Sequence, residues 1–140
     1  MSLVLDSSVT LAWIYDDETT EAVRAAFDQI GRRGAWVPSL WRLEVANVLE
    51  MGVRRGRHDA GFRDKTLADL ACFPIKIDPE TDLHAWSATA WLAARHKLTV
   101  YDAAYLELAR RRDIPLATLD QELRRAAQVE GVPLLGLNPA

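Results

Sequence analysis

The chain has 140 residues, 49% hydrophobic and 26% charged, enough for one domain around a single core. Its 17 Lys and Arg against 20 Asp and Glu leave a net charge of −3, so bulk charge cannot grip a polyanion, which would have to be held locally. The single cysteine, Cys72, excludes an internal disulfide, no basic leader precedes the apolar N-terminus, and no apolar run reaches the length of a membrane span; the expected setting is a reducing cytoplasm.

Hydrophobic periodicity alternates between strand and helix. A strand over 2–6 is followed by a short helix near 8–14 and a helix over about 18–32. The strand 35–37 leads through Pro38 and Ser39 into a helix that carries Glu44 and ends near Arg55 and Gly56. A helix over 59–71, a strand over 73–77 and a helix from Pro79 to about His96 come next. The stretch 98–101 leads into a helix over 103–112, then a strand over 116–119, a helix opening at Asp120 and a last strand over 133–135. Strands separated by helices imply parallel βαβ units and an α/β domain of three layers, αβα, with a short, mainly parallel central sheet.

Four acids stand out against this pattern. Asp6, Asp102 and Asp120 each follow an apolar stretch and precede a helical one. In an open parallel sheet, strand carboxyl ends and the following helix starts share one edge, where ligands collect. Glu44 lies inside its helix, on the face of Leu40, Leu43, Asn47, Val48 and Met51, and no Lys or Arg stands at i±3 or i±4. Each aspartate alone could be a helix N-cap. Capping cannot explain Glu44.

Gathered carboxylates repel and raise each other's pKa, whereas a divalent cation reverses that penalty. Hard oxygen ligands suit Mg²⁺ or Mn²⁺ better than zinc. The four acids therefore read first as metal ligands and second as acid/base groups.

The segments Val4-Leu5-Asp6-Ser7-Ser8, residues 38–47 with Glu44, Tyr101-Asp102-Ala103-Ala104-Tyr105-Leu106 and Ala117-Thr118-Leu119-Asp120 together resemble the PIN-domain ribonucleases, most closely the VapC toxins of type II toxin–antitoxin systems. The likeness spans nearly the whole chain in order and spacing. It implies a Mg²⁺- or Mn²⁺-dependent endoribonuclease, a homodimer, restrained by a VapB-type antitoxin that blocks the acidic pocket. On this resemblance Asp6, Glu44, Asp102 and Asp120 match the acidic quartet, while Ser8 matches the small hydroxyl after the first acid and Thr118 the hydroxyl before the last, both expected to touch substrate. Some PIN nucleases carry a further acid where Thr118 stands.

In that chemistry Asp6 and Asp102 hold one metal, which acidifies a bound water, and Asp120 shares a second, recruited with the substrate. Glu44 either ligates directly or holds a water as base, with Asn47 one turn on as the residue that orients it. His58, His84 and His96 show neither metal-ligand spacing nor catalytic pairing. Arg54, Arg55 and Arg57, and the run Arg110-Arg111-Arg112, are candidate phosphate contacts, although cations at a helix C-terminus also offset the macrodipole. Among the aromatics, Trp13 is the one near Asp6 that could meet a base.

A receiver-like signalling domain, the main alternative, would need an acidic pair after the first strand and a lysine after a late strand. Asp6 stands alone, and no lysine follows Leu119. A haloacid-dehalogenase-type phosphatase would need an acid at Ser8. A catalytically silent PIN scaffold would be expected to lose acids, and all four are present.

Overall fold

A computed structural model describes residues 2–137. Its centre is a four-stranded, wholly parallel sheet of β1 (Val4–Leu5), β2 (Ala35–Val37), β3 (Ile75–Ile77) and β4 (Leu116–Ala117), in the order β3-β2-β1-β4. The helices are α1 (Ser7–Ile14), α2 (Glu21–Arg33), α3 (Trp41–Arg54), α4 (Ala60–Ala71), α5 (Thr81–His84), α6 (Ala90–His96), α7 (Val100–Arg112) and α8 (Gln121–Val129). Contacts divide them into α1–α4 and α5–α8, which with the sheet give a three-layer α/β fold.

The strands are short, and the central β1 and its neighbour β4 are apolar and wholly buried, whereas edge strand β3 exposes Lys76. Chain order runs outwards from β1 to β2 and β3, then returns to β4 on β1's other side. The direction of winding therefore reverses at β1, which makes the carboxyl ends of β1 and β4 the edge where such sheets place their ligand crevice. Leu5 pairs with Ala117 and the Asp6 N–H donates to the Ala117 carbonyl at 3.0 Å, so Asp6 and Thr118 emerge side by side there.

Local chemistry sets the helix ends. Thr20 caps α2 through Val23 N–H at 3.2 Å, Asp59 caps α4 through Phe62 N–H at 2.8 Å, and Thr99 caps α7 through Asp102 N–H at 3.1 Å. Gly34 closes α2 with φ of 78°, and a Cβ there would come within 3.1 Å of the Pro74 carbonyl oxygen. Residues 103–109 of α7 are all buried, so this helix is enclosed and carries no solvent stripe at its centre.

Several boundaries differ from expectation. The helix expected over 103–112 starts earlier; with Thr99 as cap, α7 begins at Val100 and Asp102 lies in its first turn. The helix expected from Pro79 begins at Thr81 and passes through a π-helical segment, Ala85–Thr89, between α5 and α6. The strand expected at 133–135 is reduced to one parallel bridge, Leu116 to Leu134, beside β4. Leu43, assigned to the packed face of α3, is 76% exposed.

Candidate active site

Asp6 is 3% exposed at the end of β1. Its Oδ2 accepts hydrogen bonds from Ser8 Oγ at 2.6 Å and Thr118 Oγ1 at 2.7 Å. Ser8 Oγ in turn accepts from Leu119 N–H at 3.0 Å, and Thr118 Oγ1 from Asp120 N–H at 3.1 Å. The two hydroxyls therefore spend their hydrogens on Asp6 and lace β1 to the chain after β4. They were expected to touch substrate; here they position a carboxylate.

The capping alternative separates the acids. Asp120 does cap α8, its Oδ1 accepting from Leu123 N–H at 3.0 Å. Asp6 occupies the N-cap position of α1 without a side-chain capping bond, and Asp102 lies inside α7, whose cap is Thr99. Glu44 Oε1 accepts the phenolic hydrogen of Tyr105 at 2.5 Å.

Burial raises the Asp6 pKa, with the Asp102 charge adding to the rise and the Ser8 and Thr118 hydroxyls opposing it. Glu44 is raised by burial, with Asp6 and Asp102 contributing, against the Tyr105 hydrogen bond. Burial and then the charge of Asp120 raise Asp102. Asp6, Glu44 and Asp102 thus each feel the charge of another of the four acids. The topology gathers residues spread over more than a hundred positions.

No ion pair among the described residues involves any of the four, whereas buried Asp78, Glu107 and Glu130 each have arginine partners. A cluster of oxygen donors left without cations fits a hard divalent ion. Among the described residues no group of three or more Asp, Glu, His or Cys side chains is placed to hold a metal ion. Of the common divalent ions, one of the Mg²⁺ kind is the one that one or two carboxylates would suffice to hold.

Other expected residues are placed differently. No hydrogen bond joins Asn47 to Glu44 among the described residues; Asn47 is exposed one turn along α3, and Tyr105 performs the orienting role assigned to it. Tyr105 was missed, although it stands three residues after Asp102 on the same helix. Arg124, also missed, donates to the Thr118 carbonyl at 2.8 Å beside Asp120.

The arginines serve mixed purposes. Arg111 and Arg112 turn inward to Asp78 at 2.6 and 3.1 Å, and Arg110 lies 3.7 Å from Glu130, so this run is committed to internal acids. Arg57 pairs with Asp17 and Glu18, and Arg54 with Glu50, while Arg55 is exposed with no acidic partner among the described residues. Trp13 stacks on Phe27 at 4.6 Å and meets Phe73 edge-on at 5.3 Å, which makes it a packing residue. His58 meets Tyr15, His96 meets Glu130 and His84 lies near Glu80, all apart from the four acids.

A family model described as PIN domain matches residues 3–129. Ribonuclease VapC3 of Pyrobaculum aerophilum is 32% identical over 123 residues, covering 88% of this chain and 92% of that protein. The crystal structure of FitAcB from Neisseria gonorrhoeae superposes with a TM-score of 0.68 at 16% identity, over 97% of each chain. VapBC2 from Rickettsia felis, solved bound to a DNA fragment from its promoter, superposes with a TM-score of 0.65 at 10% identity, over 96% of this chain and 97% of that one. At such identities the two structural likenesses speak for the fold.

Proposed function

The chain belongs to the PIN domain family, and from that membership we propose that it is an endoribonuclease toxin that hydrolyses RNA phosphodiester bonds with the help of Mg²⁺ or Mn²⁺. What supports this reading is that the pKa values of Asp6, Glu44 and Asp102 are raised by burial and by one another or by Asp120 near the switch point of the sheet, with no ion-pair partner for any of the four among the described residues. The similarity to a ribonuclease over most of both chains supplies the substrate class.

Asp6 and Asp102 would hold one cation, Asp120 would share a second recruited with the substrate, and Glu44 stands beside them. When bound, these cations supply neutralisation of phosphate charge and acidification of water. Ser8 and Thr118 fix the Asp6 carboxylate so that its geometry is set before substrate arrives. Glu44, made more basic by burial and by the Asp6 and Asp102 charges and held by Tyr105, accepts the proton of the attacking water. Water adds to phosphorus, the bond to the 3′ oxygen breaks, and that oxygen leaves with a solvent proton. The products carry a 5′-phosphate and a 3′-hydroxyl.

By the same likeness the toxin works as a cytoplasmic homodimer and is restrained by a VapB-type antitoxin that covers the acidic crevice; the VapBC2 complex is a precedent for the pairing. End-group analysis of cleaved RNA tests the chemistry. A 5′-phosphate is expected. A 2′,3′-cyclic phosphate would mean attack by the RNA's own hydroxyl and would overturn the assigned roles.

A further inference from the structure

Helices α1 and α3 both lead away from the acidic crevice. They start beside each other, where Trp41 Nε1 donates to Thr10 Oγ1 at 3.0 Å, and reach the far end at Tyr15 and Arg55. Along α3, Glu44, Asn47, Met51 and Arg55 recur at helical spacing and form one stripe. A cavity of about 310 Å³ lies along this stripe, lined by Asn47, Met51, Arg55 and Tyr15. It begins one turn from Glu44, and Arg55 stands about 16 Å from Glu44 along the helix axis at 1.5 Å per residue.

We infer that this groove along the outer turns of α3, walled by Tyr15 and Arg57, is the subsite for the RNA segment flanking the scissile phosphate, with Asn47 reading a base and Arg55 binding a backbone phosphate. The inference rests on the ribonuclease reading. A nucleoside needs a pocket near the lower end of the usual ligand range, and this one has that size. The Asn47 side chain is exposed and offers both an acceptor and donors to the edge of an unstacked base. Arg54 and Arg57 are engaged by Glu50, Asp17 and Glu18, which leaves Arg55 as the cation of this cavity without an acidic partner among the described residues. The Tyr15 ring is covered by the Arg57 guanidinium at 3.5 Å and by His58, so it forms the groove's wall and is not free to stack on a base.

The test uses a library of single-stranded RNA randomised around a fixed centre, cut by the wild-type chain, Asn47→Ala and Arg55→Ala with Mn²⁺, and sequenced at the ends. Asn47→Ala should flatten the nucleotide preference at one position beside the cut. Arg55→Ala should raise KM and lower the slope of log binding constant against log salt by about 0.7, the value for one phosphate of a single strand. Lys65→Ala, which removes an exposed charge on α4, should leave that slope unchanged. A residue that merely positions Glu44 would lower kcat for every sequence and leave the preference intact. Unchanged preference and slope in active variants would overturn the groove assignment alone. A wild-type chain that cuts no RNA would overturn the ribonuclease reading, and the groove with it. Both residues are exposed, so the substitutions should not affect folding.

Discussion

Tyr105, fully buried in α7, donates its phenolic hydrogen to Glu44 on α3 and so joins the two helix layers at the acidic crevice. A half-buried carboxylate with no ion-pair partner among the described residues is held in one orientation by a neutral donor. Burial and the nearby Glu44 push the Tyr105 pKa well up, so the hydroxyl stays protonated and keeps donating across the working pH range.

Tyr105→Phe should therefore separate orientation from chemistry. We expect about 10- to 100-fold lower RNA cleavage, the usual cost of losing a residue that orients an active-site ligand, with about 1 kcal/mol lost in stability. The acidic limb of the pH–rate profile should move to higher pH, because the lost hydrogen bond was opposing the rise of the Glu44 pKa. An unmoved limb would show that Glu44 is not the titrating base.

The raised pKa values of Asp6, Glu44 and Asp102 bear on stability in the metal-free protein. Raised values mean the folded state binds these protons more tightly than the unfolded chain, so the contribution is full at low pH and is lost as pH rises through the folded pKa values. Asp102→Asn in EDTA should melt at the wild-type temperature or above it at pH 8, with the difference shrinking towards pH 4. A clear loss of stability at pH 8 would mean that Asp102 is structural.

Divalent cations should reverse this repulsion. At a hundredfold excess of Mn²⁺ over its dissociation constant, stabilisation should reach about 2.7 kcal/mol and raise Tm by several degrees. Asp6→Asn and Asp102→Asn should each abolish most of the shift. An equal shift in both variants would place the ion elsewhere.

A second buried cluster behaves in the opposite sense. Burial alone would raise the Asp78 pKa, but Arg111 and Arg112 hold it below the usual carboxylate range. That stability is present above the unfolded pKa and is lost as pH falls through the folded one. Arg111→Met should cost about 3 kcal/mol at neutral pH, measured by urea melts, and less in acid. A cost that did not vary with pH would assign the loss to packing.

Much of this was legible in the sequence. The strand at 35–37 and the ordered acids follow from periodicity and from carboxylates placed where apolar stretches end. The parallel sheet follows from strands alternating with helices. Tertiary partners were not legible. Nothing local shows that Arg111 and Arg112 reach Asp78, more than thirty residues away, so a solvated basic run and a buried ion cluster look alike. The same holds for Tyr105, whose role depends on Glu44 arriving from another helix, and for Trp13, whose stacking partner comes from α2. The edge at 133–135 misled because an apolar run after Pro133 forms only a single bridge.

The most direct test is cleavage of a fluorogenic single-stranded RNA by the purified chain, freed of any co-purifying protein, in Mn²⁺ and in EDTA, beside Asp102→Asn. Cleavage that requires both the metal and the Asp102 carboxylate is predicted. Cleavage that persists in EDTA or in the folded Asp102→Asn chain would contradict a nuclease built on the four acids.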